Sequence, residues 1–394
     1  MDDQDALSAF LHIVSPLAPG GWIRTLAQTH VLDITAQLDN GIRYIDFRMM
    51  EEPILKTWYS LHFVQSNNVV EVYFKSIRQW LDAHPSEIVV IQCSKHGNAW
   101  VSGNEAYPGV SNADRQTMWN TIEGIFSGLL IDTRVSRWNE TPLSDLVERN
   151  HRAIFLMGDY HNFTNSSPFA YDSTIINQGG MGNVWAPADG YSDAVKQLTN
   201  MEATKEGCAA QGQFLMHTMA NAVSTNQVES LAYIHFLPII NKQKHIDACA
   251  AELQIPGAHF CPESLLDLSQ LLSYYNQQIL EYAFEQDLTL PMAIIHDAID
   301  FDGTIRTSSD KLTSPSTSST RRYAYVDTIL AINLRKACKA TPTSDTCTSL
   351  TNEVALRRSK YPFLQWNEPS TGRLTGWPAV LPPTIKPNMF VSTV

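Results

Sequence analysis

The chain has 394 residues, 44% of them hydrophobic and 10% aromatic, enough to bury a large core and too apolar for intrinsic disorder. Its 28 Lys and Arg stand against 40 Asp and Glu, a net charge of -12, and such a field repels nucleic acid and anionic bilayers. No nucleic-acid partner is expected, and any anionic ligand must be held locally.

The six cysteines, Cys93, Cys208, Cys249, Cys261, Cys338 and Cys347, form no CxxC pair and no group with histidines, which argues against a thiolate metal site. Cys338 and Cys347 bracket a polar loop, and Cys208, Cys249 and Cys261 fall in a loop-rich middle region, a placing that suits disulfides in an oxidising compartment. The sequons at Asn139, Asn162 and Asn165 agree with a secreted glycoprotein. Cytoplasmic residence with reduced thiols is the alternative. Asp2, Asp3 and Asp5 stand where a signal peptide carries positive charge, so secretion implies a signal segment missing from this sequence. No uninterrupted apolar run reaches membrane-spanning length, and a soluble protein is expected.

In chain order, strand-like and helix-like segments alternate. Arg43 to Met49 is β-branched and aromatic; Trp58 to His62 reads as a short strand ending in His. Ser66 to Ala83 carries Val70, Tyr73, Phe74, Ile77, Trp80 and Leu81 at helical spacing, and His84-Pro85 closes that helix. Ile88 to Cys93 is a short apolar run of the kind buried on both faces of a parallel sheet. Ala153 to Gly158, Gln213 to His217 and Met292 to Ile299 are further strand candidates. This alternation predicts an α/β fold in one unit over 1–394. Residues 307–320, rich in Ser and Thr, read as an exposed loop, and the Pro-rich tail 362–394 is expected to wrap the surface.

The chemistry concentrates between residues 37 and 97. After a helix end with a glycine stop, period two puts Tyr44, Asp46 and Arg48 on one face of a strand. A carboxylate and a guanidinium turned into a barrel are costly unless paired or used, and a bracing Asp/Arg pair is the reading for the motif alone.

The order of motifs changes that reading. Gln37-Leu-x-x-Gly-Ile-Arg-Tyr-x-Asp-x-Arg48, a strand-terminal His62, a helix, His84-Pro-Ser-Glu87 and then Ile88-Val-Val-Ile resembles the X domain of phosphatidylinositol-specific phospholipase C from about Thr29 to Lys95, with a fainter echo at Ala293 to Arg306. The resemblance implies a TIM-type (β/α) barrel, irregular or missing its first strand, with an inositol phosphodiester at its mouth. In that family the inositol 2-hydroxyl attacks phosphorus, one His accepts its proton and a second His protonates the departing oxygen. His62 matches the general acid. Arg48 matches the arginine with which metal-independent members neutralise the phosphoryl group, so no cofactor and no calcium are implied. By the same resemblance Asp46 orients Arg48 or a hydroxyl, and Asp297 is the late-strand carboxylate that fixes the first His. Lys95 would bind substrate, with an ordinary surface lysine as the alternative. The implied partner is phosphatidylinositol or its glycosylated form, met in transient contact with a membrane surface. Trp100, Tyr107, Trp185 and Tyr191 are either an aromatic rim there or ordinary loop packing.

One family feature is missing. The Gly-Thr/Ser-His-Asp motif that carries the first histidine does not occur upstream of Ala27, and His12, the nearest histidine, lacks its setting. The sequence therefore leaves two readings open, a phosphoric diester hydrolase or a catalytically impaired barrel that binds inositol phosphate or sugar phosphate. A glycerophosphodiesterase is a third, but it would want Glu-x-Asp and a metal where Asp46-x-Arg48 stands.

Overall fold

Two periodicities, apolar runs of period two and amphipathic runs of period 3.6, divide the chain between strands and helices. The computed structural model describes residues 30–173 apart from 31, 53, 63, 99–109 and 139–140, together with the strands at 181–184, 213–217, 293–295 and 390–393. Its strands are β1 (Ile42–Glu52), β2 (Thr57–His62), β3 (Val64–Val69), β4 (Val89–Asn98), β5 (Ala153–Met157), β6 (Tyr171–Asp172), β7 (Met181–Val184), β8 (Gln213–His217), β9 (Ala293–Ile295) and β10 (Phe390–Thr393). The helices are α1 (Ile34–Asp39), α2 (Val70–Ala83), α3 (Asn112–Ile125), α4 (Leu143–Glu148) and α5 (Tyr160–Thr164).

Eight strands follow one path, β6-β5-β4-β1-β10-β9-β8-β7, and every neighbouring pair on it is parallel. Eight parallel strands fed by helices are the components of a (β/α) barrel. Among the described residues β6 and β7 do not join, so the barrel is irregular and open, as expected from the sequence. β2 and β3 leave this path as an antiparallel hairpin on β1.

β1 is buried along nearly its whole length, and the two faces bury different things. Phe47 turns outward onto α2 and meets Phe74 at 5.1 Å between ring centroids; Phe74 and Phe126 both pack edge-on against Phe155, at 5.7 and 5.1 Å. Tyr44 turns to the other face and packs with Val90, Ile154, Leu156, Ile131, Trp138 and Leu146.

At the start of β1, Arg43 is buried: its Nε donates to Glu87 Oε2 at 3.0 Å, its Nη1 donates to the Leu38 and Ile42 carbonyls, and its guanidinium lies 4.4 Å from the Trp80 ring centre. Glu87, the last residue of the His-Pro-Ser-Glu motif, is thus a brace at the N-terminal end of the barrel, the end that serves stability.

Two expectations need correction. The helix read from Ser66 begins only at Val70, because Ser66 to Val69 pair in β3 with β2; the helical stripe itself starts at Val70, and the polar residues before it carry no 3.6 period. The tail was expected on the surface, yet Phe390–Thr393 enters the sheet between β1 and β9. These four residues are aromatic, β-branched or small, and they follow the last proline, so each has an N–H for the ladder.

Candidate functional site

The site is assembled from the C-terminal half of β1 upward. Asp46 and Arg48 share the inner face with Tyr44, and Arg48 Nη2 donates to Asp46 Oδ2 at 3.2 Å, the carboxylate almost buried and the guanidinium nearly so. The Arg48 Nε N–H is also buried and has no hydrogen-bond partner among the described residues. One edge of the guanidinium is held by Asp46 and another donor is kept dry and unused, the arrangement that suits an incoming phosphoryl oxygen.

Register adds a residue that reading the sequence missed. Gln92 on β4 lies directly across from Asp46, and its Oε1 accepts a 2.6 Å hydrogen bond from the Tyr44 hydroxyl. Burial, reinforced by the neighbouring Asp46 charge, pushes the Tyr44 phenol well above its ordinary value, so it stays a donor to Gln92. The signal for Gln92 in the sequence was its being the lone polar residue in Ile88 to Cys93. Cys93, next along, is a buried free thiol that burial pushes far up, with Asp46 adding to the effect, and so an inert one. The other five cysteines lie outside the described residues.

The β1–β4 ladder slips beside Arg48. Phe47 pairs with Cys93 but Met49 pairs with His96, so Ser94 and Lys95 together oppose Arg48 in a β-bulge. Bulges of this kind re-aim side chains next to active sites. Lys95 is therefore brought beside Arg48 in the backbone.

On the other edge of β1, β10 pairs as far as Ile45 and β2 begins at Met49. Asp46, Phe47 and Arg48 fall in the window between them. β2 runs antiparallel from Thr57, and His62 lies two residues past the Ser60–Met49 pair, back toward that window, where it pairs with Val64 at the hairpin end. The structure thus brings Asp46, Arg48, Lys95 and His62 to one region of the sheet. Asp297 lies outside the described residues, two positions beyond the end of β9, as do His12, Trp100, Tyr107, Trp185 and Tyr191.

Comparison with known proteins finds similarity over part of the chain. Residues 22–173 match the sequence profile of the PI-PLC X family. It is 40% identical over 67 residues to human PI-PLC X domain-containing protein 1 (16% of this chain, 21% of the relative), and 32% identical over 93 residues to the mouse protein (22% and 27%). The matched stretches span about a quarter of these relatives. Among solved structures, a phosphatidylinositol-specific phospholipase C of Staphylococcus aureus aligns with a TM-score of 0.46 at 13% identity, over 79% of this chain and 87% of that one. The enzyme from Listeria monocytogenes aligns with a TM-score of 0.35 at 15% identity, over 56% and 78%.

Proposed function

We propose that this protein is a phosphoric diester hydrolase of the phosphatidylinositol phospholipase C type, acting on the inositol phosphodiester of phosphatidylinositol or of its glycosylated form. The observation that carries the proposal is the Arg48 guanidinium, fixed by Asp46 with its Nε N–H buried and unspent. A preorganised charged donor in a dry site stabilises the developing phosphoryl charge far better than water does. The same fixed positive charge repels a divalent cation, so turnover is proposed to be independent of calcium.

In this reading the inositol 2-hydroxyl oxygen forms a new bond to phosphorus as its proton passes to a general base. The phosphorus–glycerol oxygen bond breaks, and His62 gives that oxygen its proton. The products are a cyclic inositol phosphate and a diacylglycerol. Lys95 contributes a second positive charge toward the headgroup, and Asp297 orients the base. Secretion belongs to the proposal; the sequon residues Asn162 and Asn165 are exposed in the α5 turn, accessible to a glycan.

The test is hydrolysis of phosphatidylinositol by the purified chain with a calcium chelator present. Chelator-resistant turnover is expected, falling about 10²–10³-fold in Arg48→Ala and about 10²–10⁴-fold in His62→Ala. Absence of turnover together with retained binding of inositol phosphate, weakened by Arg48→Ala, would replace this reading with that of a non-catalytic binding barrel.

A further inference from the structure

β3 carries Ser66-Asn-Asn68 where a strand ordinarily has β-branched or aromatic residues. Short polar side chains of this kind compete with the ladder for backbone N–H and C=O groups, and the β2–β3 hairpin leaves regular pairing where they stand. Tyr59 pairs with Val69 and Leu61 with Gln65, so Ser60 on β2 faces three residues of β3, Ser66, Asn67 and Asn68. A side chain bridges this bulge. The Ser60 N–H donates to Ser66 Oγ at 3.1 Å, and the Ser66 hydroxyl donates in turn to the Asn68 carbonyl at 2.8 Å. One hydroxyl thus ties β2 to the displaced backbone of β3.

The place of the bulge gives that bond its importance. Before it, β2 is fixed along both edges, paired with β1 from Thr57 to Ser60 and with β3 at Tyr59. Beyond it come the pairs Leu61–Gln65 and His62–Val64, both with β3. The angle at which the chain leaves the bulge therefore sets where the His62 backbone lies relative to the Asp46 and Arg48 window of β1. His62 is two residues past Ser60, about 7 Å, so a swing of about 10° at the bulge moves it by about 1 Å. A displacement of that size in a catalytic group costs up to about 10²-fold in rate. A neutral hydrogen bond at a partly exposed site contributes little to stability, so losing it frees the angle and leaves the fold intact.

We infer that Ser66 is a positioning residue, whose hydroxyl braces the bulge at Ser60 and so aims His62 at the departing oxygen of the substrate. The inference rests on the general-acid role proposed for His62. Its consequence is selective, because the aim matters only for a substrate whose departing oxygen must be protonated as it leaves.

The experiment compares Ser66→Ala and Ser66→Val, which lack the hydroxyl, with Ser66→Thr, which keeps it. Two substrates are used: phosphatidylinositol, whose glycerol oxygen leaves poorly without a proton, and a nitrophenyl ester of inositol phosphate, whose phenolate leaves without one. In the Ala and Val variants kcat on phosphatidylinositol is expected to fall about 10–100-fold with KM little changed, while the nitrophenyl ester is turned over at close to the wild-type rate. Ser66→Thr should match the wild type on both, and all melting temperatures should agree. Equal losses on the two substrates, or a Val variant as active as the Thr variant, would overturn the inference. The His62 ring is followed independently by its NMR resonance, identified by its loss in His62→Gln. That resonance should shift or broaden in the Ala and Val variants and return in Ser66→Thr; an unmoved resonance would equally overturn the inference. If the wild type hydrolyses neither substrate, the proposed activity fails, and the resonance alone decides whether Ser66 places His62.

Discussion

Arg48 illustrates how one residue is prepared by its neighbours. Asp46 satisfies one N–H and fixes the plane, the bulge at Ser94 and Lys95 opens the backbone beside it, and Nε is kept dry. At the opposite end of the same strand system, His151 shows burial acting on a titrating group. Its ring meets the Ser136 hydroxyl at 2.9 Å; burial lowers its affinity for a proton, Asp132 opposes that and Arg149 adds to it. Because the folded ring binds a proton less readily than the unfolded one, whose ordinary value is 6.5, its contribution is complete above that pH and is lost as pH falls through the lower folded value. His151→Asn should therefore flatten the decline of melting temperature between neutral and mildly acidic pH, as thermal melts across that range would read. The Asp46 and Arg48 alternation was legible in the sequence, since period two is local. Gln92 was not, because its place opposite Asp46 depends on register between strands far apart in the chain.

At the scale of elements, the motifs that carry the resemblance divide between the candidate site and its support. The Gly-Ile-Arg-Tyr and His-Pro-Ser-Glu motifs meet through Arg43 and Glu87, both with side chains under a fifth exposed. Burial lowers the Arg43 proton affinity and Glu87 works against that, so deleting Glu87 strands a charge inside the protein. Glu87→Ala is expected to lower stability by about 3 kcal/mol, measured as a shift of the urea midpoint with unchanged slope. The sequence located these elements to within a few residues. It misplaced the boundary at Ser66, where a continuous helical reading overran a short strand whose pairing partner, β2, is set by a hairpin rather than by propensity.

The whole molecule is held together by a pairing no local pattern announces. β10 lies between β1 and β9, and its Val391, Ser392 and Thr393 sit beside Ile42, Tyr44 and Ile45. An α/β barrel was foreseeable from alternation; that the proline-rich tail would supply an inner strand was not. Removing Phe390–Thr393 should expose the edge of β1 and uncouple β9 from it, so the truncated protein is expected to unfold at lower urea and with a broader transition than the full chain, by tryptophan fluorescence.

That pairing also sets a timetable. Ile45 must find Thr393 about 350 residues away, a closure whose entropic cost is met only after much of the rest has formed, and such distant partners make for slow folding. During the wait β4, β5 and β6 can assemble on one side of β1 while its other side stands open, an apolar strand edge able to pair with the wrong chain. The strand that bears Arg48 is thus also the place where a newly made copy is most exposed to aggregation, and production of this protein should improve under conditions that thin out encounters between chains, such as slow synthesis or a chaperone that shields strand edges.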